Sequence, residues 1–208
     1  MTVPSTNFTD GFGALAPGVR LPEGTTVGSW SAIWDGGGSI QSGPGPTPSL
    51  LLAPAVATTA SGTHSTLVAS VPQFGDTDLT MTLRTTAQLR QGSPPNPWEV
   101  GWAVWHYTDN QHFYYLILKP NGWELGKEDP AYPGAQRFLS TGSDRTFPIG
   151  SWHRVHIVQT GGSITVAVDG TPLTTFVDQE RPYLRGSIAL YCEDSAVEFG
   201  AITASGRL

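Results

Sequence analysis

No stretch of this chain repeats its apolar residues every three to four positions over the roughly 11 residues that a helix requires. What recurs instead is alternation with a period of two, cut at short intervals by Gly, Pro, Asn and Asp. The clearest case is 78–89, DLTMTLRTTAQL, where Leu79, Met81 and Leu83 face one way and Thr80, Thr82 and Arg84 the other. Further strands are predicted over 29–40, where the strand enters a Gly36-Gly37-Gly38 turn, and over 63–69, 99–107, 113–119, 123–127, 152–159, 163–169, 171–177, 187–191 and 196–203. Twenty-five glycines and 17 prolines among 208 residues supply the breaks, while seven Trp, six Tyr and eight Phe argue against disorder. So many short strands without helices predict an all-β, two-sheet antiparallel sandwich. The segment 152–177 reads as a meander with turns at Gly161-Gly162 and Asp169-Gly170. Apolar strand patterns resume directly after the rigid loop GPGPTP (43–48), so a single domain over 1–208 is expected.

Charge and cysteine usage narrow the function classes. Charged residues make up only 13%, and the formal net charge is −6. Clustered Lys and Arg for a broad phosphate-binding surface are missing, so no nucleic-acid partner is expected. Cys192 is the lone cysteine, which excludes an internal disulfide framework and reads as a small buried hydrophobe. No apolar run approaches the roughly 18 residues of a membrane helix, so no membrane insertion is expected. The opening residues MTVPSTNFTDGFG show neither a basic nor an apolar region of a secretion signal. Yet low charge with many aromatics suits an extracellular glycan-handling protein. Three readings reconcile the two: one domain of a secreted protein, a cytoplasmic protein, or a virion protein released by lysis; the expected location is virion or extracellular.

The second half carries a recognisable series. It runs Trp152-His153-Arg154-Val155, then Ile164-Thr165-Val166-Ala167-Val168-Asp169-Gly170, then Gly186-Ser187-Ile188-Ala189-Leu190-Tyr191, then Val197-Glu198-Phe199. This resembles the laminin G / concanavalin A-like jelly-roll superfamily, and the opening Phe8-Thr9-Asp10-Gly11-Phe12 with Trp34-Asp35-Gly36 fits its first strands. The stretch 113–127, FYYLILKPNGWELGK, is similar to the middle strands of its glycan-handling members, including sugar-hydrolase-like domains of unknown function. The resemblance implies a jelly roll and a glycan or cell-surface polysaccharide as partner, but the fold alone fixes no activity. Sugar hydrolases on this fold commonly carry Glu-x-Asp-x-x-Glu on one strand. Here Glu193, Asp194 and Glu198 come near that spacing, but adjacent Glu193 and Asp194 point to opposite faces. Alginate-lyase and galectin motifs are absent as well, so no catalytic residue is assigned and a non-catalytic role is favoured.

The candidate ligand face comes from the aromatic hairpin. A turn centred between Asp109 and Asn110 sets Val104 opposite Tyr114, Trp102 opposite Leu116 and Val100 opposite Leu118, giving a core face. The other face pairs Trp105 with Phe113 and Ala103 with Tyr115. A following Asn121-Gly122 turn brings Lys119 opposite Glu124 on that same face. Trp105, Tyr107, Phe113, Tyr115, Lys119 and Glu124, with Trp123 at the rim, are thus the predicted ligand-binding residues. Flat rings stack on the apolar face of a sugar, and charged groups bond its hydroxyls. The alternative is that residues 91–97 or 129–137 cover this face as a second small core, with Trp123 packed under a loop.

Other residues give weaker signals. His153 and His156 face opposite ways on one strand and cannot share a metal. His106 and His112 oppose each other without a clear third ligand, so no metal site is assigned. No cofactor is expected. The superfamily resemblance makes calcium conceivable, with Asp10, Asp35, Asp178 and Asp194 as candidate ligands, but no Asp-x-Asp-x-Asp run supports it. The functional expectation is a non-catalytic, lectin-like carbohydrate-binding surface module, for instance on a bacteriophage tail or capsid surface. Its rivals are a glycan hydrolase or lyase working through Glu124 with Lys119 or His106, and a purely structural virion subunit contacting other virion proteins or its own copies.

Overall fold

A computed structural model describes residues 5–207. The expectation of no secretion signal falls partly on residues 1–4, which lie outside the described residues. The strands are β1 (Ser5–Asp10), β2 (Thr26–Val27), β3 (Trp30–Trp34), β4 (Ser39–Ser42), β5 (Leu50–Ala53), β6 (Ser65–Phe74), β7 (Asp76–Gln88) and β8 (Gly101–Asp109). They continue with β9 (His112–Lys119), β10 (Gly122–Glu128), β11 (Gln136–Gly142), β12 (His153–Thr160), β13 (Ser163–Val168), β14 (Thr171–Val177), β15 (Gly186–Glu193) and β16 (Ser195–Arg207). One antiparallel sheet runs β14–β13–β12–β7–β16–β5–β4, with β1 paired to β16; the other runs β11–β10–β9–β8–β15–β6–β3–β2. The all-β, two-sheet jelly-roll sandwich read from the sequence is the observed architecture. No helix among the described residues is long and apolar enough to cross a membrane.

The core lies between the sheets, and alternation builds it. Leu79, Met81 and Leu83 of β7 point inward, as expected, with Val155 and Ile157 of β12 and Ile164, Val166 and Val168 of β13 beside them. Facing them from the other sheet are Tyr114, Leu116 and Leu118 of β9 and Leu190 and Cys192 of β15. Each such side chain contributes roughly 1.5–3 kcal/mol by leaving water. The predicted turns close the meander: Thr160 pairs Ser163 around Gly161-Gly162, and Val168 pairs Thr171 around Asp169-Gly170. Asp169 and Gly170 both have positive φ, 53° and 78°, the left-handed pair that matches the twist of a two-residue hairpin.

The strand read from Ser29 enters the expected Gly36-Gly37-Gly38 turn, which carries the chain from one sheet to the other: β3 ends at Trp34 and β4 begins at Ser39. Gly38 passes so close to β5 that an added Cβ would sit 2.1 Å from the Ala53 carbonyl oxygen, which is why no side chain fits there. Two sequence expectations are corrected, the first at β8 and β9. Val104 pairs Tyr115, Trp102 pairs Ile117 and Trp105 pairs Tyr114, one residue off the expected register. Between Trp105 and Asp109 the register shifts again, around His106, whose φ is 51°. This bulge inverts which side chains of β8 face the core before it, and leaves Tyr107 after it on the expected face. The β9–β10 turn is also displaced, with Lys119 pairing Gly122 around Pro120-Asn121. That shift is by an even number of positions, so the faces of β9 and β10 are unchanged.

Candidate functional site

The second face of the β11–β2 sheet looks away from the main core and carries its own apolar layer. Cross-strand pairing lines up one row: Glu124 of β10, Ile117 of β9, Trp102 of β8, Tyr191 of β15, Leu67 of β6 and Trp34 of β3. Trp102 is central, with ring centroids 4.9 Å from both Tyr115 and Tyr191. Tyr107, Phe113 and Tyr115 continue the aromatic series at 6.0 and 6.4 Å. Above this floor is an open cavity of about 580 Å³, a size suited to a small-molecule or short-oligomer ligand. Trp98 and Phe138, both substantially exposed, stand among its walls. The face thus carries a second small apolar cluster beneath an open groove.

The predicted residues divide. Tyr107, Phe113 and Glu124 line the cavity. Tyr115 lies in the same layer but is fully buried; its hydroxyl donates to Glu124 Oε1 at 3.0 Å and accepts from Gln136 Nε2 at 2.8 Å. Gly126 beside it has no room for a side chain, since an added Cβ would sit 2.2 Å from Tyr115 Oη. Lys119 is not opposed to Glu124 as expected, since it pairs Gly122, but its Nζ still reaches across to donate to Glu124 Oε2 at 3.0 Å. Trp105 and Trp123 are corrections. Trp105 faces the main core, stacked on Tyr114 at 5.5 Å, with its indole N–H donating to Gln159 Oε1 at 2.7 Å. Trp123 is buried in the same core and donates to Asp144 Oδ1 at 3.1 Å.

His106 does not reach the groove, which removes it as a partner for Glu124 or for His112. Its ring is buried among Tyr183 O at 2.7 Å from Nδ1, and Gly75 O and Thr77 Oγ1 at 2.8 and 2.9 Å from Nε2. Burial lowers its pKa, favouring the neutral ring. The four candidate calcium ligands are dispersed and engaged elsewhere. Asp10 accepts from Phe12 N and Trp30 Nε1, Asp35 from Gly37 N, Asp178 from Lys127 and Tyr114, and Asp194 from Arg90 and His64 N. No cluster of three or more His, Cys, Asp or Glu among the described residues could hold a metal ion.

The sequence reading missed two acidic residues of the groove, Glu128 and Glu193. Alternation could have found both: Glu128 shares a face with Glu124, and Glu193 the face opposite to Cys192. Glu128 makes no side-chain hydrogen bond among the described residues. Its pKa is pushed up to about 7, first by burial and then by repulsion from Glu193 across the groove. Glu193 is also raised, by burial and then by neighbouring Asp194. Glu198, the third member of the near-triplet, points away entirely: it lies on the other sheet and pairs Arg84 at 2.9 Å.

One end of the groove is fastened by a buried cation. Arg90 Nε donates to Glu99 Oε1 and its Nη2 to Asp194 Oδ2, both at 2.6 Å. Its Nη1 reaches the carbonyls of Thr59, Ala60 and Gly62 at 3.1, 3.2 and 2.8 Å. Glu99 follows Trp98 and Asp194 follows Glu193, so this one guanidinium fixes the backbone on both sides of that end. Asp194 holds a left-handed φ of 41° in the tight connection between β15 and β16.

Comparison with known proteins agrees with this fold. The family model described as "3-keto-alpha-glucoside-1,2-lyase-like domain" matches residues 18–204. No curated protein matches the chain in sequence. Among solved structures, SCLam, a non-specific endo-beta-1,3(4)-glucanase from family GH16, is similar at a TM-score of 0.60 and 10% identity, over 100% of this chain and 94% of that one. The carbohydrate binding module CBM66 from Bacillus subtilis is similar at 0.57 and 11% identity, over 92% and 96%. A protein of unknown function with a galectin-like fold, also from Bacillus subtilis, gives 0.57 and 13%, over 93% and 99%. At these identities the likeness shows a shared fold.

Proposed function

This chain belongs to the 3-keto-alpha-glucoside-1,2-lyase-like domain family, and from that membership we propose that its groove seats a sugar on the aromatic floor and cleaves its glycosidic bond. The observation that carries this reading is an aromatic-floored cavity lined by three glutamates, Glu124, Glu128 and Glu193. A lectin needs rings and hydrogen bonds; convergent titratable groups in an open cleft are what acid–base chemistry needs. In a 3-keto glucoside the ketone acidifies the C2–H. A base that takes this proton lets the C1–O bond break, leaving a C1=C2 double bond and an alcohol, with a proton delivered to the departing oxygen. Glu128 is suited to one of these transfers because a carboxyl titrating near neutrality can both hold and release its proton. Glu193, across the groove, is suited to the other. Glu124 is tied to Lys119 and Tyr115 and serves to fix the floor and bond hydroxyls.

The non-catalytic binding reading is retained as second, favoured by that satisfied Lys119–Glu124–Tyr115 set, which offers fixed hydroxyl partners at the groove. The test is to incubate the protein with glucosides and their 3-keto derivatives, following binding calorimetrically and cleavage by product analysis. Glu128→Gln is expected to lower cleavage by about 10²–10⁴-fold while binding persists. Binding without any cleavage by the wild type supports the second reading, and absence of both overturns the groove as a sugar site.

Titration of Glu128 also has a consequence for stability. Its folded-state pKa is raised from 4.5 to about 7, so the folded chain holds the proton more tightly than the unfolded one. That contribution is full below the unfolded value and is lost as pH rises through the folded value. Denaturation midpoints should therefore decline between about pH 5 and 8, and Glu128→Gln should flatten the decline.

A further inference from the structure

We infer that the groove selects sugars by charge: it favours units bearing a free ammonium and rejects those bearing carboxylate, sulfate or phosphate. This rests on the reading of the groove as a sugar site and names the class of sugar it takes. The lining residues include three glutamates and no Lys, Arg or His. The cations that come near are already committed. Lys119 is paired with Glu124 at 3.0 Å. Arg137 on β11 turns away to Asp178 and Glu180, at 3.0 and 3.1 Å. Arg90 sits behind the end wall, held between Glu99 and Asp194. Glu128 and Glu193 thus face the cavity with neither carboxyl in an ion pair, in a partly desolvated site where an added anion is repelled more strongly than in water.

The walls add an independent reason. Trp34, Trp102, Tyr107, Phe113 and Tyr191 surround the same cavity. Aromatic faces attract a cation through their quadrupole, most strongly when it is desolvated. An aromatic enclosure with unpaired carboxylates is a good environment for an ammonium group, an acceptable one for neutral hydroxyls, and a poor one for an anion. Uncharged sugars retain the stacking and the Glu124 contacts, so they bind with intermediate strength.

The test compares three matched probes by calorimetry on the intact protein at low salt: a β-1,4-linked glucose trimer, the corresponding glucosamine trimer and a glucuronic acid trimer. The glucosamine trimer is expected to bind about tenfold tighter than the glucose trimer, and the glucuronic acid trimer at least about tenfold weaker. Raising the salt concentration should narrow both gaps. The Glu128→Gln, Glu193→Gln double variant, checked for an unchanged melting profile at low pH, should nearly abolish them while still binding the neutral trimer. Equal affinities, or a preference for the acidic trimer, overturn the charge selection but leave the sugar site standing. Failure of every trimer to bind also overturns the charge selection, while the sugar site itself is overturned only if the glucosides and their 3-keto derivatives fail to bind as well.

Discussion

Replacing Arg90 with methionine is expected to destabilise the protein by about 3–5 kcal/mol, the cost of breaking a buried ion pair from one side. The reason is what remains behind. Glu99 and Asp194 are both fully buried and would lose their cation, and three backbone carbonyls would lose a donor. At this chain length the melting temperature should fall by about 10 °C. Lysine should not restore it, because a single ammonium cannot span two carboxylates and three carbonyls as a planar fork does. Replacing the set together, Arg90→Met with Glu99→Gln and Asp194→Asn, should recover part of the loss because no uncompensated charge remains. Urea titration measures this as a lowered midpoint at an unchanged slope. A loss below about 1 kcal/mol for Arg90→Met would show that the guanidinium does not carry this end of the groove. The same variant should weaken ligand binding, since Trp98 and Glu193 are both held through residues that Arg90 anchors.

How much of this was legible in the sequence varies by strand, for physical reasons. In β7 one face is buried and the other wet, so Leu79, Met81 and Leu83 stand out against threonines and the reading is direct. The β12–β14 meander is legible because its turns need residues that tolerate positive φ, and Gly161, Asp169 and Gly170 supply them. Strand β8 offers no such contrast. Residues Gly101 to His106 are all buried, Ala103 and Trp105 against the main core and Trp102 and Val104 in the groove floor, so alternation carries no information about facing. The bulge that decides it depends on His106 finding Gly75, Thr77 and Tyr183, contacts at sequence separations that no local pattern displays. The Glu128–Glu193 relation is hidden in the same way: it exists only because β15 inserts beside β8 in the sheet order, placing two distant segments on one surface. Arg90 gives no sequence signal of burial at all, since an arginine after a strand and before a Pro-rich loop reads as solvent-exposed.

The two tryptophans of β8 decide between the expected and the observed facing. Trp105→Ala should cost about 3–5 kcal/mol of stability, as for deletion of a large buried ring. It removes the ring stacked on Tyr114, and it leaves Gln159 Oε1 without the indole donor in a dry core, which adds to the penalty. Because Trp105 touches nothing in the groove, sugar affinity measured well below the lowered melting temperature should stay within about twofold of wild type. Trp102→Ala should do the reverse. Its ring meets Tyr115 and Tyr191 in the floor and lines the cavity, so losing it should weaken ligand binding by about 30-fold, or ~2 kcal/mol. Its stability cost should be the smaller of the two, because water can enter the groove where it cannot enter the main core. Paired thermal melts and titrations on both variants give a two-by-two result. If Trp105→Ala abolishes binding at little cost in stability and Trp102→Ala unfolds the chain, then β8 carries no bulge at His106 and its side chains keep the facing that a regular hairpin would give them.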